Sequence, residues 1–442
     1  MIQHVISLAG DNDPYAPACG SAALTPVTLR LSATDGTRLH ENSLWRGLAL
    51  GALKPPQVAV DLYRVAATVF SADLRIPRSS AFDRWQRHFY LHLPVEDPAL
   101  WASVSPRLKI ALEFLTGDTW DLAFRQRTAP GHIPGVRGRV PHSGADKVCL
   151  VSGGLDSFAG AVDEVATGHN LICVSHNAAG SATFSSPAQE RTLAHLAAIR
   201  GPGAVSHLKA NVSPPLMPGH NSEPTQRSRS IMFIGLGVLT ASALAARRGQ
   251  AVPLVIPENG FISLNVPLTS SRIGSLSTRT THPFFLEHLS QLLAGLGLNV
   301  TIETPYRYRT KGQILTGVAH PAALVAGARE TVSCAHPSIK RFAAARANHC
   351  GYCVPCIVRR AAMRVAGLDD PADYSIDLAA SPLLTQGQMR DVRAFEIALA
   401  NRSTQVSRSA ILAVGPLPGS DAIAQSVAVY EAGLNEVADF LP

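Results

Sequence analysis

Lysine is scarce. Six of the 39 basic residues in this 442-residue chain are lysine, so arginine carries the positive charge. Guanidinium forks suit phosphate and carboxylate, but a compositional bias of the source produces the same excess, and no function is read from it. Runs of one charge sign are absent. A net charge of +7 is mild for this length, so binding to polyanions is allowed but not demanded, and direct nucleic-acid binding is not expected. Met1–Gly10 lacks the basic start and long apolar stretch of a secretory leader. The longest apolar run, Ile231–Ala246, is 16 residues and holds two Gly, a Thr and a Ser. A membrane span needs about 20 residues, so this reads as a buried core helix and no membrane partner is expected. Seven cysteines, four of them between Cys334 and Cys356, make no disulfide framework. A cytoplasmic location is expected.

What is present is apolar mass. With 46% hydrophobic residues against 16% charged, a sizeable core is assured and wholesale disorder is excluded. At about 150 residues per domain, two or three domains are expected. Residues 1–127 read as an N-terminal α+β domain, with period-two alternation in His88–Leu93, helical spacing in Asp97–Leu115 and a strand at Trp120–Arg125. Residues 128–145 read as a Pro/Gly-rich linker.

From 146 to 370 short apolar runs alternate with helical stretches. The runs are Lys147–Val151, Leu171–Ser175, Val205–Ala210 and Val252–Ile256. The helical stretches are Phe158–Ala166, Gln189–Ile199 and Ile231–Ala246. This predicts an α/β unit, a parallel sheet with helices on both faces. Residues 371–442 predict a C-terminal helical segment with amphipathic helices at Gln386–Ala400 and Asp421–Leu441.

Ser152-Gly-Gly-Leu-Asp-Ser157 stands directly between the first of those runs and its helix. Glycines allow a tight turn and let backbone approach an anion. N–H groups freed at the helix start, with the helix dipole, favour phosphate. Ser152 and Ser157 add hydroxyls, and Asp156 offers a carboxylate to Mg²⁺. The plain alternative is a tight turn with Ser157 as N-cap. No Gly-Lys-Ser/Thr follows, so this is not a Walker loop.

Cys350-Gly-Tyr-Cys353-Val-Pro-Cys356 places three thiols at two-residue spacings, with Cys334 upstream. Four thiolates suit a closed tetrahedral Zn²⁺ site. An iron–sulfur cluster is the rival, although the ferredoxin run continues with a fourth Cys and a Pro that Ile357–Arg360 lacks. His336 or His349 remains an alternative fourth ligand.

The hexapeptide resembles the PP-loop of ATP pyrophosphatases (the adenine nucleotide alpha hydrolase-like fold), whose members split ATP between the α and β phosphates. Paired with the later Cys cluster, it resembles the QueC family of 7-cyano-7-deazaguanine synthases. Arg229-Ser-Ile-Met-Phe233 and Thr310-Lys311-Gly-Gln-Ile314 resemble two further elements of that family. The resemblance covers roughly Lys147–Asp370. It departs in length and in the N-terminal domain. The family's Tyr-Pro-Asp-Cys segment is missing too. Pro257–Gly260, Leu264–Leu268 and Ser277–Pro283 stand in its place. Long QueC-like proteins of this layout, the QatC proteins among them, occur in bacterial anti-phage systems.

The resemblance implies adenylation of 7-carboxy-7-deazaguanine with ATP, Mg²⁺ and Zn²⁺, then amide formation. The amine would be the N-terminus of a partner protein, or ammonia, giving the nitrile. A tRNA-thiolating enzyme and a non-catalytic nucleotide-binding scaffold are the rivals. In this reading Ser152, Gly153, Gly154, Leu155 and Ser157 grip pyrophosphate and Asp156 holds Mg²⁺. Arg229 and Lys311 neutralise phosphate charge. Ser175, His176 and Asn177 meet the adenosine. Glu258, Asn259, Asn265, Arg279, Thr280 and His282 take the second substrate, Glu258 a guanine-like edge and Arg279 a carboxylate. Cys334, Cys350, Cys353 and Cys356 hold the zinc.

Overall fold

Two wholly parallel sheets organise the chain in the computed structural model, which describes residues 2–9, 13–17, 27–30, 39–128, 144–177, 185–214, 223, 227–268, 279–336, 349–380 and 384–441. The linker expected at 128–145 falls mostly outside these residues. In the first sheet the strands are β1 (Ile2–Leu8), β2 (Val27–Arg30), β3 (His88–Val95) and β4 (Thr119–Gln126), in the order β2-β1-β3-β4. Helices α1 (Asn42–Leu50) and α2 (Gln57–Arg75) precede β3, and α3 (Pro98–Thr116) joins β3 to β4.

The α+β expectation for this unit is therefore corrected to α/β. Its two foreseen strands do lie side by side, but α3 carries the chain back so that they run parallel. Asp97 starts α3 by accepting the Leu100 N–H at 3.0 Å, with Pro98 preset for the first turn. The alternation seen in β3 is real. Phe89, Leu91 and Leu93 join the apolar core, whereas His4, Tyr90 and His92 stack on the opposite face.

The second sheet comprises β5 (Lys147–Leu150), β6 (Leu171–Asn177), β7 (Val205–Asn211), β8 (Val252–Val255) and β9 (Val300–Glu303), in the order β7-β6-β5-β8-β9. Between them come α4 (Leu155–Ala166), α5 (Ser185–Arg200), α6 (Arg229–Arg248), the single turn α7 (Gly260–Ser263) and α8 (Pro283–Gly295). Both faces are covered. Val148, Leu150, Ile172, Val174 and Leu254 pack with α6 and α8, while Cys149, Val151, Cys173 and Val255 pack with α4 and α5. Short runs apolar on both faces are what a buried parallel sheet requires. Of the described helices, α6 alone is long and apolar enough to cross a membrane. Its apolar window is 83% buried inside the protein, as the core-helix reading expects.

Beyond β9 lie α9 (Lys311–Thr316), α10 (Pro321–Ala328) and α11 (Val354–Val365), then α12 (Gln386–Ala400), α13 (Thr404–Val414) and α14 (Gly419–Ala438). The stripe foreseen on the last helix packs as expected: Val427, Tyr430, Leu434 and Val437 are buried with Phe261, Ile357 and Phe395. Helix α13 was not foreseen.

The chain runs outward from β5 to β7 and then returns to β8 on the other side of β5. Strand order reverses between β5 and β8. Open α/β sheets take ligands outside the carboxyl ends of such a pair.

Candidate functional site

Ser152–Ser157 occupies that position, between β5 and α4. Gly153 has φ +87°, a left-handed conformation that a side chain resists. Its carbonyl accepts the Val332 N–H at 2.8 Å. The Ser152 hydroxyl accepts the Gly154 N–H at 3.2 Å and lies 3.2 Å from the Ser157 hydroxyl, which donates to the Gly154 carbonyl at 2.9 Å. Gly154, not Ser157, is the N-cap of α4. Both serine side chains thus brace the turn, while the first-turn N–H groups of α4 head toward the strand ends.

Asp156, on the first turn of α4, is gripped on both oxygens. Lys311 Nζ lies 2.5 Å from Oδ1, and Asn259 Nδ2 donates to Oδ2 at 2.6 Å. Lys311 opens α9, whose start is fixed by a capping box between Thr310 and Gln313. Glu436 of α14 accepts from the Thr310 hydroxyl and from the Gly312 N–H, the latter at 3.2 Å. The C-terminal helix therefore positions the lysine. Burial raises the Glu436 carboxyl above its ordinary range, against the hydrogen bonds it accepts.

A cavity of about 330 Å³ opens over the turn. Ser152, Gly154, Leu155, Asp156, Ser157, Glu258, Thr280 and Lys311 line it, with Phe233, Pro257, Ser333 and Val358. Burial pushes the Glu258 carboxyl up, the Asp156 charge adds to the rise, and the Thr281 hydroxyl donates to it.

Other residues of the expected set lie elsewhere. Ser175, His176 and Asn177 are buried in β6 and do not line the cavity. Ser175 bonds His207. His176 contacts the Val212 carbonyl at 2.9 Å and packs on Phe70. Asn177 acts through Gln189, donating to it at 3.0 Å, and Gln189 donates in turn to the Ser152 carbonyl at 3.2 Å. An adenosine-contacting role is thus not what these side chains present. Arg229 heads α6 exposed, whereas its neighbours Ser230, Phe233 and Ile234 line the cavity.

Asn259 is fully buried, holding Asp156 with its amide nitrogen and capping α7 with its oxygen, so it positions rather than contacts. Asn265 sits beyond α7 with φ +49° and is not in the lining. Arg279 donates to the Phe114 carbonyl at 3.1 Å and lies over that ring. His282 caps α8 by accepting the Phe284 N–H at 3.2 Å, and burial lowers it to about 3. The last two are structural, because α3 of the other sheet packs against them. Thr281 and Ser333 were missed. Each adjoins a named residue, but no local pattern marks a lone hydroxyl as cavity-lining.

The sulfurs of Cys334, Cys350, Cys353 and Cys356 all lie within 4.8 Å of one another, and Cys350–Cys356 is 3.8 Å. Metal–sulfur bonds of about 2.3 Å at tetrahedral angles give sulfur separations of about 3.8 Å. The backbone N–H groups of His336 and Cys350 donate to Cys334 Sγ at 3.3 and 3.4 Å, and Cys353 N–H donates to Cys350 Sγ at 3.4 Å. Such donors stabilise thiolates. Gly351, with φ +92°, lets the knuckle turn where a Cβ would strike the Ile376 carbonyl. His349 Nε2 faces the Ser333 N–H and the His336 ring packs on Tyr352, so four sulfurs make the candidate metal centre. The cluster adjoins the cavity, since Val332 and Ser333 precede Cys334, and Pro355 and Val358 follow Cys353.

Cys149 and Cys173 lie in strands, and burial pushes both thiols up, Cys173 to about 12. Neither is a nucleophile at neutral pH. No family model matches the chain, and no curated protein matches it.

Proposed function

We propose that the chain is an ATP-dependent, AMP-forming ligase that activates a carboxylic acid and joins it to an amine. One observation carries this reading: the Ser152–Ser157 turn lies at the reversal of strand order, with Asp156 held between Lys311 and Asn259 at a cavity. A carboxylate oxygen attacks the α-phosphorus of ATP, pyrophosphate leaves, and a mixed anhydride with AMP forms. An amine then attacks the acyl carbon, AMP leaves, and the amine proton passes to solvent. The turn's N–H groups and Lys311 are suited to holding the leaving pyrophosphate, because preorganised donors need no rearrangement as charge develops. Asp156 would hold Mg²⁺ once Lys311, which pairs with its Oδ1, turns to the phosphates, since such sites combine one or two carboxylates with substrate phosphates. The four cysteines would hold zinc in a closed site, tying the cavity wall to the turn without joining the chemistry.

Following the QueC-like resemblance, the acid is 7-carboxy-7-deazaguanine. The acceptor is the N-terminus of a partner protein, in a bacterial anti-phage system. A second reading uses ammonia to form the amide with release of AMP, then a second ATP to adenylate the amide oxygen, which leaves with AMP as the amide protons pass to solvent and 7-cyano-7-deazaguanine forms. It is favoured by the modest cavity, which a small nucleophile enters without a docking surface. Thiolation loses ground because the strand cysteines are buried and the other four described ones are clustered.

Mass analysis after incubation with ATP, the acid and candidate partner proteins tests the proposal. A partner gaining the acyl mass with release of AMP is the expected result, a free nitrile selects the second reading, and neither product leaves only a non-catalytic nucleotide-binding scaffold.

A further inference from the structure

A second cavity, of about 150 Å³, adjoins the first, and Ile256, Glu258 and Thr281 belong to the walls of both. At about 30 Å³ per water it has room for about five waters. That suits a small ring or a carboxylate and excludes a nucleotide. Ser263, Ser290 and Thr304 give it hydroxyls, and its cation is Arg307. Arg307 Nε is buried without a hydrogen-bond partner, and among the described residues the guanidinium forms no ion pair, its neighbour being the Tyr308 ring at 5.2 Å. Glu287 also lines the chamber, but it is exposed and holds Gln291 at 2.6 Å.

A partly buried guanidinium without an anion is costly. A planar two-oxygen ligand matches its fork. Arg279, the arginine the sequence suggested for that task, is committed to Phe114 and lines neither cavity. Between the chambers, burial raises the Glu258 carboxyl above its ordinary range, and the Thr281 hydroxyl donates to it.

We propose that the smaller chamber seats the carboxylate-bearing ring of the acid to be activated, the rest of which reaches into the larger cavity past the shared wall, and that Arg307 selects it by its charge. The inference rests on the adenylation reading of the larger cavity.

Equilibrium dialysis on the full chain tests it, with 7-carboxy-7-deazaguanine and its neutral 7-amide as probes and α,β-methylene ATP measured separately. The wild type is expected to prefer the acid by at least about tenfold. Arg307→Met keeps the apolar stem and should bring that preference to about one, leaving the amide and the nucleotide bound as before. Arg307→Lys should be intermediate, and Arg279→Met should leave the preference unchanged. An Arg307→Met chain that binds nucleotide and still prefers the acid overturns this inference while leaving adenylation standing. A wild type that binds nucleotide but neither probe overturns the choice of acid, and the inference with it.

Discussion

The two sheets share a parallel topology and a reversal of strand order, between β1 and β3 in the first and between β5 and β8 in the second. Their carboxyl ends are used differently. In the first, side chains satisfy one another: Arg125 pairs with Asp13 at 2.6 Å and also donates to the Ser7 carbonyl, while Arg127 bridges Asp61 and Glu96. In the second, the same position holds a glycine turn, a gripped aspartate and a cavity. Topology supplies a place, and the residues at the strand ends decide whether it is closed or offered to a ligand.

The sharpest way to break this contrast is to delete an acid–base partner at each place. Asp156→Ala should lower ATP turnover by about a thousandfold with the circular dichroism spectrum retained. Arg125→Ala should leave turnover near wild type in the folded protein. Comparable losses in both variants would erase the distinction.

Next in size is the ion cluster behind the first sheet. Asp118 takes Arg78 at 2.9 Å and Arg87 at 2.7 Å, and all three are buried. Asp118→Ala leaves Arg78 without a carboxylate and Arg87 with Asp73 alone, and should cost about 3–5 kcal/mol in denaturant unfolding. A loss under 1 kcal/mol would mean the cluster is solvated. Cys353→Ala should remove bound metal and lower the melting temperature by about 5 °C. Metal analysis still finding one ion per chain would show the ligand set to be wrong. Gly153→Ala should cost about 1–2 kcal/mol from its left-handed backbone and weaken nucleotide binding as well. The same loss without a binding defect would detach the turn from the site.

The smallest effect is with pH. Burial, the largest cause in each, lowers His92, His176 and His207 to about 4 and His282 to about 3. Unfolded histidines titrate near 6.5. Between these values the unfolded chain takes up protons that the folded one refuses. Stability is thus fully present above about pH 6.5 and is lost as pH falls toward 4. Melting scans should show a drop of a few degrees from pH 7.5 to pH 5, and a flat profile would contradict the burial of these rings.

Four strands of the second sheet, β5 to β8, were legible because they are short apolar runs alternating with helical stretches, a pattern that local sequence carries, whereas β9 and α8 before it were not foreseen. The first was half legible. Ile2–Leu8 mixes Gln3, His4 and Ser7 with apolar residues because one of its faces bears histidine and tyrosine. Helix α2 was not foreseen; Asp61, Arg64 and Asp73 interrupt an otherwise apolar stretch, and all three are buried with it. Whether neighbouring strands run parallel is set by what lies between them, which period-two alternation does not report.

In the site, the turn and the cysteine cluster were readable from close spacing. Arg279 and His282 were misread because Phe114, 165 residues before Arg279, fixes what they do. Arg307 had no motif around it. Only the shape of the fold shows that it faces a chamber.

Exchange of radiolabelled pyrophosphate into ATP, with 7-carboxy-7-deazaguanine present, separates adenylation from any other use of the nucleotide. Acid-dependent exchange that Asp156→Ala abolishes is the expected result. Release of ADP and orthophosphate, or exchange unaffected by Asp156→Ala, would contradict it.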